Sequence, residues 1–343
     1  MMNEFDERYD IRLATVQDID NIMQFIGTHW RKGHVLSIDR DYFEFEFRDE
    51  DKVNFILAID KEKGSIEALL GFVKASKDSD KLDIWGSIWK VNNAQENMNM
   101  LGVELQKRLK KLTGCRFHNR IGMNRRTAVP IVRLNLGSTV KKMNHYYMLN
   151  NKIDDYQIAH IEEKRVREEG DNLGEIHIIE TFNELSTCID INSLDAMPYK
   201  DEWYVKHKFY DNPKRKYLVY GIKSAPTKEI EAFFVARECE YMGNKVLRIL
   251  DYYGERKVLI SIEDALSRLM EEKNYEYIDF YNYGFESEYL EQAGFYLREN
   301  CDKNIIPNYF EPFIKQNVDI WISYDSEGML FFKADGDQDR ANV

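Results

Sequence analysis

Two histidines in one short polar run, His29-Trp30-Arg31-Lys32-Gly33-His34, are the residues best suited to proton transfer near neutral pH, because an unperturbed imidazole titrates near ~6.5. Asp83, at the start of an apolar run, is a second candidate base. The plainer readings are a surface loop for the histidines and a solvated strand end for the aspartate. Pro198-Tyr199-Lys200, Trp203-Tyr204, His207 and Tyr210 mix aromatic and basic side chains. Sugar rings stack on aromatic faces and phosphates take Lys or Arg, while a solvent-facing amphipathic helix explains the same residues. Near the C-terminus, Asp335-Gly336-Asp337-Gln338-Asp339-Arg340 alternates carboxylates around a glycine. A calcium loop of the EF-hand type needs a later glutamate, which is absent. The remaining readings are a flexible acidic terminus or a tail folded back over a pocket, and the apolar run Met329-Leu330-Phe331-Phe332 favours docking. No Ser or Cys sits in a G-x-S-x-G nucleophile elbow. Cys115, Cys188, Cys239 and Cys301 form no C-x-x-C pair, so no metal site or disulfide framework is expected.

The hydrophobic pattern supplies the elements that must position these residues. Residues 9–13 read as a strand, and Thr15 caps a helix with Ile19, Ile22, Met23 and Ile26 at helical spacing. A second helix covers residues 40–47. Strands at 54–59, 66–73 and 82–91 follow, then an amphipathic helix at 101–112 closed by Gly114. A strand at 117–123, a helix at 127–136 ending at Gly137, and a last strand at 139–149 complete the set. Residues 151–175 are strongly charged and read as a linker, with Gly170 and Gly174 near its end. The order then returns: strand 176–179, helix 182–189, strands 216–222, 231–238 and 246–252, helix 261–272, strand 277–281, helix 286–293, strand 295–298. The expected division is a first domain over 1–150, a linker over 151–175 and a second domain over 176–343 with an acidic tail. The shared order points to a duplication that rests on element order alone.

Length and charge agree with this. The chain has 343 residues, enough for about two domains. With 48 basic against 60 acidic residues the net charge is −12, whereas a nucleic-acid binder normally carries a basic excess. The acidic first ten residues and the lack of a long apolar run lead us to expect a cytoplasmic protein without membrane insertion.

The segment from Leu82 to Leu149 resembles the acyl-CoA-binding half of GNAT acyltransferases. The expected fold class is therefore α/β, a mixed sheet with helices on both faces, in two tandem GNAT-like domains. In that family a strand leads to a turn whose helix N-terminus receives the CoA pyrophosphate. Here the strand is Trp85 to Val91 and the turn is Asn97-Met98-Asn99-Met100-Leu101-Gly102. The family places Gln or Arg at the position of Asn97 and Gly at that of Met100; Gly102 is kept. The resemblance implies acetyl-CoA or another acyl-CoA as co-substrate, contacts through Lys90, Val91 and residues 97–102, and Asn124 beside the pantetheine arm. It places an oxyanion-binding N–H near Lys90 and Val91, and a tyrosine acid where Arg133 stands, so Tyr147 or Tyr146 would replace it. The loop holding His29, Trp30 and His34 would line the acceptor site, with His34 or Asp83 as base.

In the second half, Glu291-Gln292-Ala293-Gly294-Phe295 is similar to the family's closing helix, but the phosphate turn after Asp251-Tyr252-Tyr253-Gly254-Glu255 is missing. That implies a copy that shapes the acceptor site without binding CoA. The whole chain also resembles tandem GNAT-type proteins associated with surface polysaccharide biosynthesis. This implies acyl transfer to a small-molecule amino sugar carried on a nucleotide, with Trp203, Asp335, Asp337 and Arg340 beside the sugar. Two alternatives stay open: an aminoacyl-tRNA-dependent transferase, which the acidic charge disfavours, and an inactive pair serving as a scaffold. A homodimer is left open.

Overall fold

The compact apolar runs within residues 52–60 and 66–74 fold into the expected hairpin, with Phe55 opposite Gly71 and Leu57 opposite Leu69. The computed structural model describes residues 3–92, 96–165, 173–224 and 229–341. They form two units, each of non-contiguous stretches. The first is Met1–Lys141 with Trp321–Glu327 and Gly336–Val343; the second is Lys142–Ile320 with Gly328–Asp335.

In the first unit the strands run in the order Tyr9–Thr15, Lys52–Asp60, Ile66–Lys74, Asp83–Val91, Phe117–Ile121, Trp321–Tyr324, Thr139–Lys142. The first four are antiparallel, the fifth is parallel to the fourth, and Trp321–Tyr324 is antiparallel to the fifth. In the second unit the order is Glu175–Ile178, Leu218–Lys223, Ile230–Tyr241, Asn244–Gly254, Tyr275–Tyr283, Asn144–Leu149, Tyr296–Leu297. The same sequence of antiparallel, parallel and antiparallel neighbours recurs. The expectation of a mixed α/β fold in two like halves is met.

Sequence order missed an exchange of strands. The expected strand 139–149 breaks at Met143: Thr139–Lys142 edges the first sheet, and Asn144–Leu149 enters the second between Tyr275–Tyr283 and Tyr296–Leu297. In return, Trp321–Tyr324 enters the first sheet beside Phe117–Ile121. A boundary at residue 150 therefore cuts through the second sheet. The expected linker is also partly core. Ile158 and Ala159 are fully buried, and the Glu276 carboxylate accepts from the N–H groups of Gln157, Ile158 and Ala159. Gly170 falls outside the described residues.

Both sheets bury apolar faces. In the first unit, Leu101, Leu105 and Leu109 of helix Leu101–Thr113 lie on Ile56, Leu70 and Ile84. That helix closes at Gly114 in the left-handed region, φ 73°, where glycine carries no steric penalty. On the other face, Phe43, Phe47 and Phe55 form an aromatic cluster with Ile22, Phe25 and Leu36. In the second unit, helix Glu263–Lys273 packs Leu266, Leu269 and Met270 against Ile249, Ile278 and Phe280.

Each sheet carries a bulge in its fourth strand. Phe72 pairs with Gly86 and Leu70 with Trp89, so Ser87 and Ile88 together oppose Gly71. Likewise Ala236 pairs with Ile249 and Val235 with Asp251, leaving Leu250 as the extra residue. Bulges bend a strand and re-aim its side chains. Just there the parallel ladder stops: at Gly86–Arg120 in the first sheet and at Ile249–Phe280 in the second. In the second sheet the resulting gap is taken by the chain itself. Phe331–Phe332 pairs with Asn282 and Tyr283, and the Ala334 N–H donates to the Leu250 carbonyl at 2.8 Å. In the first sheet, among the described residues, no strand enters the gap.

Candidate active site at the strand bulge of the first unit

The bulge places Ser87 beside the C-terminal segment. Ser87 Oγ donates to Asp337 Oδ2 at 2.7 Å, and Arg340 reaches Ser87 Oγ at 3.2 Å and Asp337 Oδ2 at 3.3 Å. Gly336 lies so close to the sheet that a Cβ there would stand 2.9 Å from Ile121 Cγ2 and 3.2 Å from Trp85 Cβ. Arg340 Nε also donates to Glu46 Oε2 at 2.9 Å, and its guanidinium lies over the Phe47 ring. Burial disfavours the charge on Arg340, but Glu46 and Asp337 hold its pKa above the ordinary value. The tail residues 336–341 are thus docked, as the apolar run before them suggested.

His34 is brought to this cluster but not as a base. It caps helix Val35–Ile38, its Nδ1 accepting from the Leu36 N–H at 3.2 Å. With Nδ1 accepting, the neutral ring carries its proton on Nε2 and can only donate there. Burial, then the Arg340 and Arg31 guanidiniums, push its pKa down to about 4, with Asp337 acting in the opposite sense. His29 packs against Phe25, ring centroids 4.7 Å apart and planes tilted by 49°, in a π-helical turn spanning Ile26–Trp30 rather than in a loop. Trp30 is exposed.

The expected phosphate turn keeps its backbone shape. Met100 stands in the left-handed region, φ 67°, as the N-cap of helix Leu101–Thr113, with no side-chain cap. A glycine takes that conformation freely; here methionine does, with its side chain exposed. The helix entrance thereby presents first-turn N–H groups without a side-chain acceptor among the described residues. Gly102 has a second role that the sequence reading missed. A Cβ there would meet Trp89 Nε1 at 2.9 Å and Val91 Cγ2 at 3.0 Å, and Trp89 Nε1 donates to the Gly102 carbonyl. The glycine seats the helix on the strand. Met98 donates its N–H to Tyr9 Oη, and Asn97 is tied to Tyr9 and Asn92, so neither amide carries the turn alone. Met98 is half-buried on the core, and Asn99 lies in the turn before Met100.

The other expected site residues have structural partners of their own. Asp83 is fully buried in a bidentate pair with Arg116, at 3.1 and 2.7 Å, and so holds strand to strand instead of moving protons. Lys90 and Val91 pair with Leu69 and Ala68 beyond the bulge, in regular ladder; the irregular backbone lies at Ser87–Ile88. Asn124 caps its own turn, accepting from the N–H groups of Arg126 and Thr127. Tyr147 belongs to the second unit, where its hydroxyl donates to Asp302 and accepts from Asn304; burial pushes its pKa up to about 12. Trp203 stacks on His207 in the second unit. Asp335 also belongs to the second unit.

Asp335 helps build a buried charge cluster in the second unit. Lys200 Nζ lies 2.8 Å from both Asp251 oxygens and 2.6 Å from Asp335 Oδ1, ringed by Tyr204, Tyr253 and Phe332. Burial raises the Asp335 pKa to about 6, with Lys200 opposing. Lys200 lines a cleft of about 330 Å³ with Tyr252, Tyr253, Arg256 and Phe332.

Sequence reading missed Ser87, Glu46 and Asn119. The signal for the first was the Gly86-Ser87 pair inside an apolar strand, a bulge signature. Glu46 gave none, since it sits among exposed-looking acids on its helix.

No protein-family model matches the chain, and no curated protein matches it in sequence. Solved structures do match in fold. A conserved protein of unknown function from Enterococcus faecalis V583, described as a probable N-acyltransferase, aligns with a TM-score of 0.53 at 9% identity, over 92% of this chain and 71% of its own. A GCN5-related N-acetyltransferase from Anabaena variabilis aligns with a TM-score of 0.50 at 10% identity, over 92% of this chain and 72% of its own. Among the described residues no helix is long and apolar enough to cross a membrane. At these identities the likeness is one of fold, and it identifies the chain as a mixed α/β protein of two GNAT-like units.

Proposed function

We propose that the chain is an acyl-CoA-dependent N-acyltransferase whose first unit binds the acyl donor. One observation carries this. In the first sheet the ladder opens at the Ser87–Ile88 bulge, and the next helix begins without a side-chain cap at Met100. The same opening in the second sheet is filled by Phe331–Phe332. An acyl-CoA arm could thus approach the opened strand of the first unit beside the docked residues 336–340, its phosphates meeting the N–H groups of Gly102 and Val103, since the Leu101 N–H already donates to the Met98 carbonyl. The irregular backbone at Ser87–Ile88 would supply the oxyanion donor. The two matched folds are described as a probable N-acyltransferase and a GCN5-related N-acetyltransferase.

The acceptor in this reading is an amino sugar carried on a nucleotide, in surface polysaccharide biosynthesis. The amine attacks the thioester directly, since no Ser or Cys nucleophile is placed at the bulge beyond Ser87, whose hydroxyl is engaged with Asp337. The test is release of free thiol from acetyl-CoA with a panel of nucleotide-linked 2-amino sugars. Release dependent on the sugar's free amine supports the reading. Thiol release that is unchanged when the amine is already acylated contradicts it.

A further inference from the structure

The docked C-terminal segment brings a carboxylate to the bulge, and the polar groups around it are unequally matched. Arg340 is one positive charge shared between Glu46 and Asp337. His34 adds no positive charge near neutral pH, its pKa being held at about 4. Both partners of Asp337, Ser87 and Arg340, engage Oδ2; Oδ1 has no hydrogen-bond partner among the described residues, and the side chain keeps 21% of its exposure. The carboxylate is therefore held from one oxygen and open at the other.

A second observation comes from the neighbouring strand. Asn119 is fully buried, and neither its Oδ1 nor its Nδ2 has a hydrogen-bond partner among the described residues. Its flanking residues His118 and Arg120 point to the face of helix Leu101–Thr113, where Arg120 bonds Gln106 and His118. Alternation sends Asn119 to the opposite face, level with its register partner Trp85. That is the face on which Gly336 rests between Trp85 and Ile121. A buried amide with both ends unmet is strongly disfavoured, so it points to a polar ligand group at this spot.

We propose that Asp337 binds the acceptor's ammonium group and takes its proton, with Asn119 hydrogen-bonding an adjacent hydroxyl. Ser87 and Arg340 are positioning residues that hold Oδ2 and turn Oδ1 toward the ligand. This rests on the acyltransferase reading. The proton passes from the ammonium nitrogen to Asp337 Oδ1. The freed amine attacks the thioester carbonyl, the C–N bond forms, the C–S bond breaks, and the thiolate leaves with the second nitrogen-bound proton. The ligand class that fits is a primary ammonium next to a hydroxyl, as in a 2-amino sugar. An N-acylated sugar offers no cation to the carboxylate.

The test is calorimetric titration with glucosamine and with N-acetylglucosamine, in the presence of CoA, on the wild-type protein and on Asp337→Asn. The asparagine keeps an acceptor for Ser87 and so preserves the segment. We expect the wild type to prefer glucosamine, and the variant to lose at least about tenfold in affinity for glucosamine alone. Equal binding of both sugars to the wild type, no glucosamine binding, or an unchanged variant would each overturn the proposal. The wild-type comparison decides even if the variant folds poorly. CoA binding measured on the same samples separates the two levels: loss of CoA binding in the wild type sinks the acyltransferase reading, whereas intact CoA binding without amine discrimination sinks only the role of Asp337.

Discussion

Ser87 and Asp337, 250 positions apart in the chain, are joined by a 2.7 Å hydrogen bond at a β-bulge. Ser87 is the residue the bulge re-aims, and Asp337 is the residue the C-terminal segment delivers to it. Removing the hydroxyl should loosen the segment without unfolding the sheet, because Arg340 still holds Asp337. Ser87→Ala is expected to cost about 1 kcal/mol and to speed proteolytic cleavage after Arg340 or within residues 336–341. Unchanged cleavage would show that the hydrogen bond does not anchor the segment.

The His34 imidazole should make stability sensitive to acid. Its folded pKa is depressed, to about 4, below the unfolded value of ~6.5. The unfolded chain therefore binds a proton that the folded chain refuses, and stability present above ~6.5 falls as pH drops toward 4. His34→Asn keeps an acceptor for the Leu36 N–H and removes the titration. Urea melts at neutral and at mildly acidic pH should show a smaller loss for the variant; equal losses would assign the acid sensitivity elsewhere, His145 included, whose pKa burial likewise pushes down to about 4.

Lys200 lies between Asp251 and Asp335, 2.8 and 2.6 Å away. Replacing it with Met leaves buried carboxylates uncompensated and should cost about 3–5 kcal/mol at neutral pH. Because the Asp335 pKa is raised to about 6, that carboxyl takes up a proton more readily as pH falls below 6. The destabilisation should therefore shrink in that direction, read from thermal melts across the range. A penalty that does not change with pH would contradict the raised pKa.

Met100→Gly should stabilise the protein by about 1 kcal/mol, since the left-handed backbone at φ 67° disfavours a side chain. It should also tighten CoA binding by clearing the turn. Denaturant midpoints and CoA affinity measured on one preparation check both; a destabilised variant would mean that the exposed methionine packs on something the isolated chain does not show.

Much of the fold was legible in the sequence. Ile66–Lys74, Asp83–Val91 and helix Leu101–Thr113 fall within a residue or two of their expected runs, because a compact apolar run bounded by turns and an amphipathic helix are both visible in the sequence. The exchange of Asn144–Leu149 and Trp321–Tyr324 was not legible, since a strand's own pattern names its faces and not its neighbour. The site was read in part. Gly102 and Asp337 were singled out as candidates, whereas the burial of Asp83 with Arg116 and the capping of Leu36 by His34 were not legible, because they are set by partners that spacing cannot reveal.

The central claim is that the first unit is the acyl-donor site. The most direct measurement is calorimetric titration of CoA into the wild type and two matched variants. Met100→Asp puts a charge at the helix entrance of the first unit. Met242→Asp alters another exposed, left-handed methionine in the second unit, φ 51° against 67° and more open to solvent than Met100. The account predicts wild-type binding on the order of micromolar strength, weakened at least about tenfold by Met100→Asp and untouched by Met242→Asp. No binding up to millimolar CoA, or equal binding by all three proteins, would contradict it.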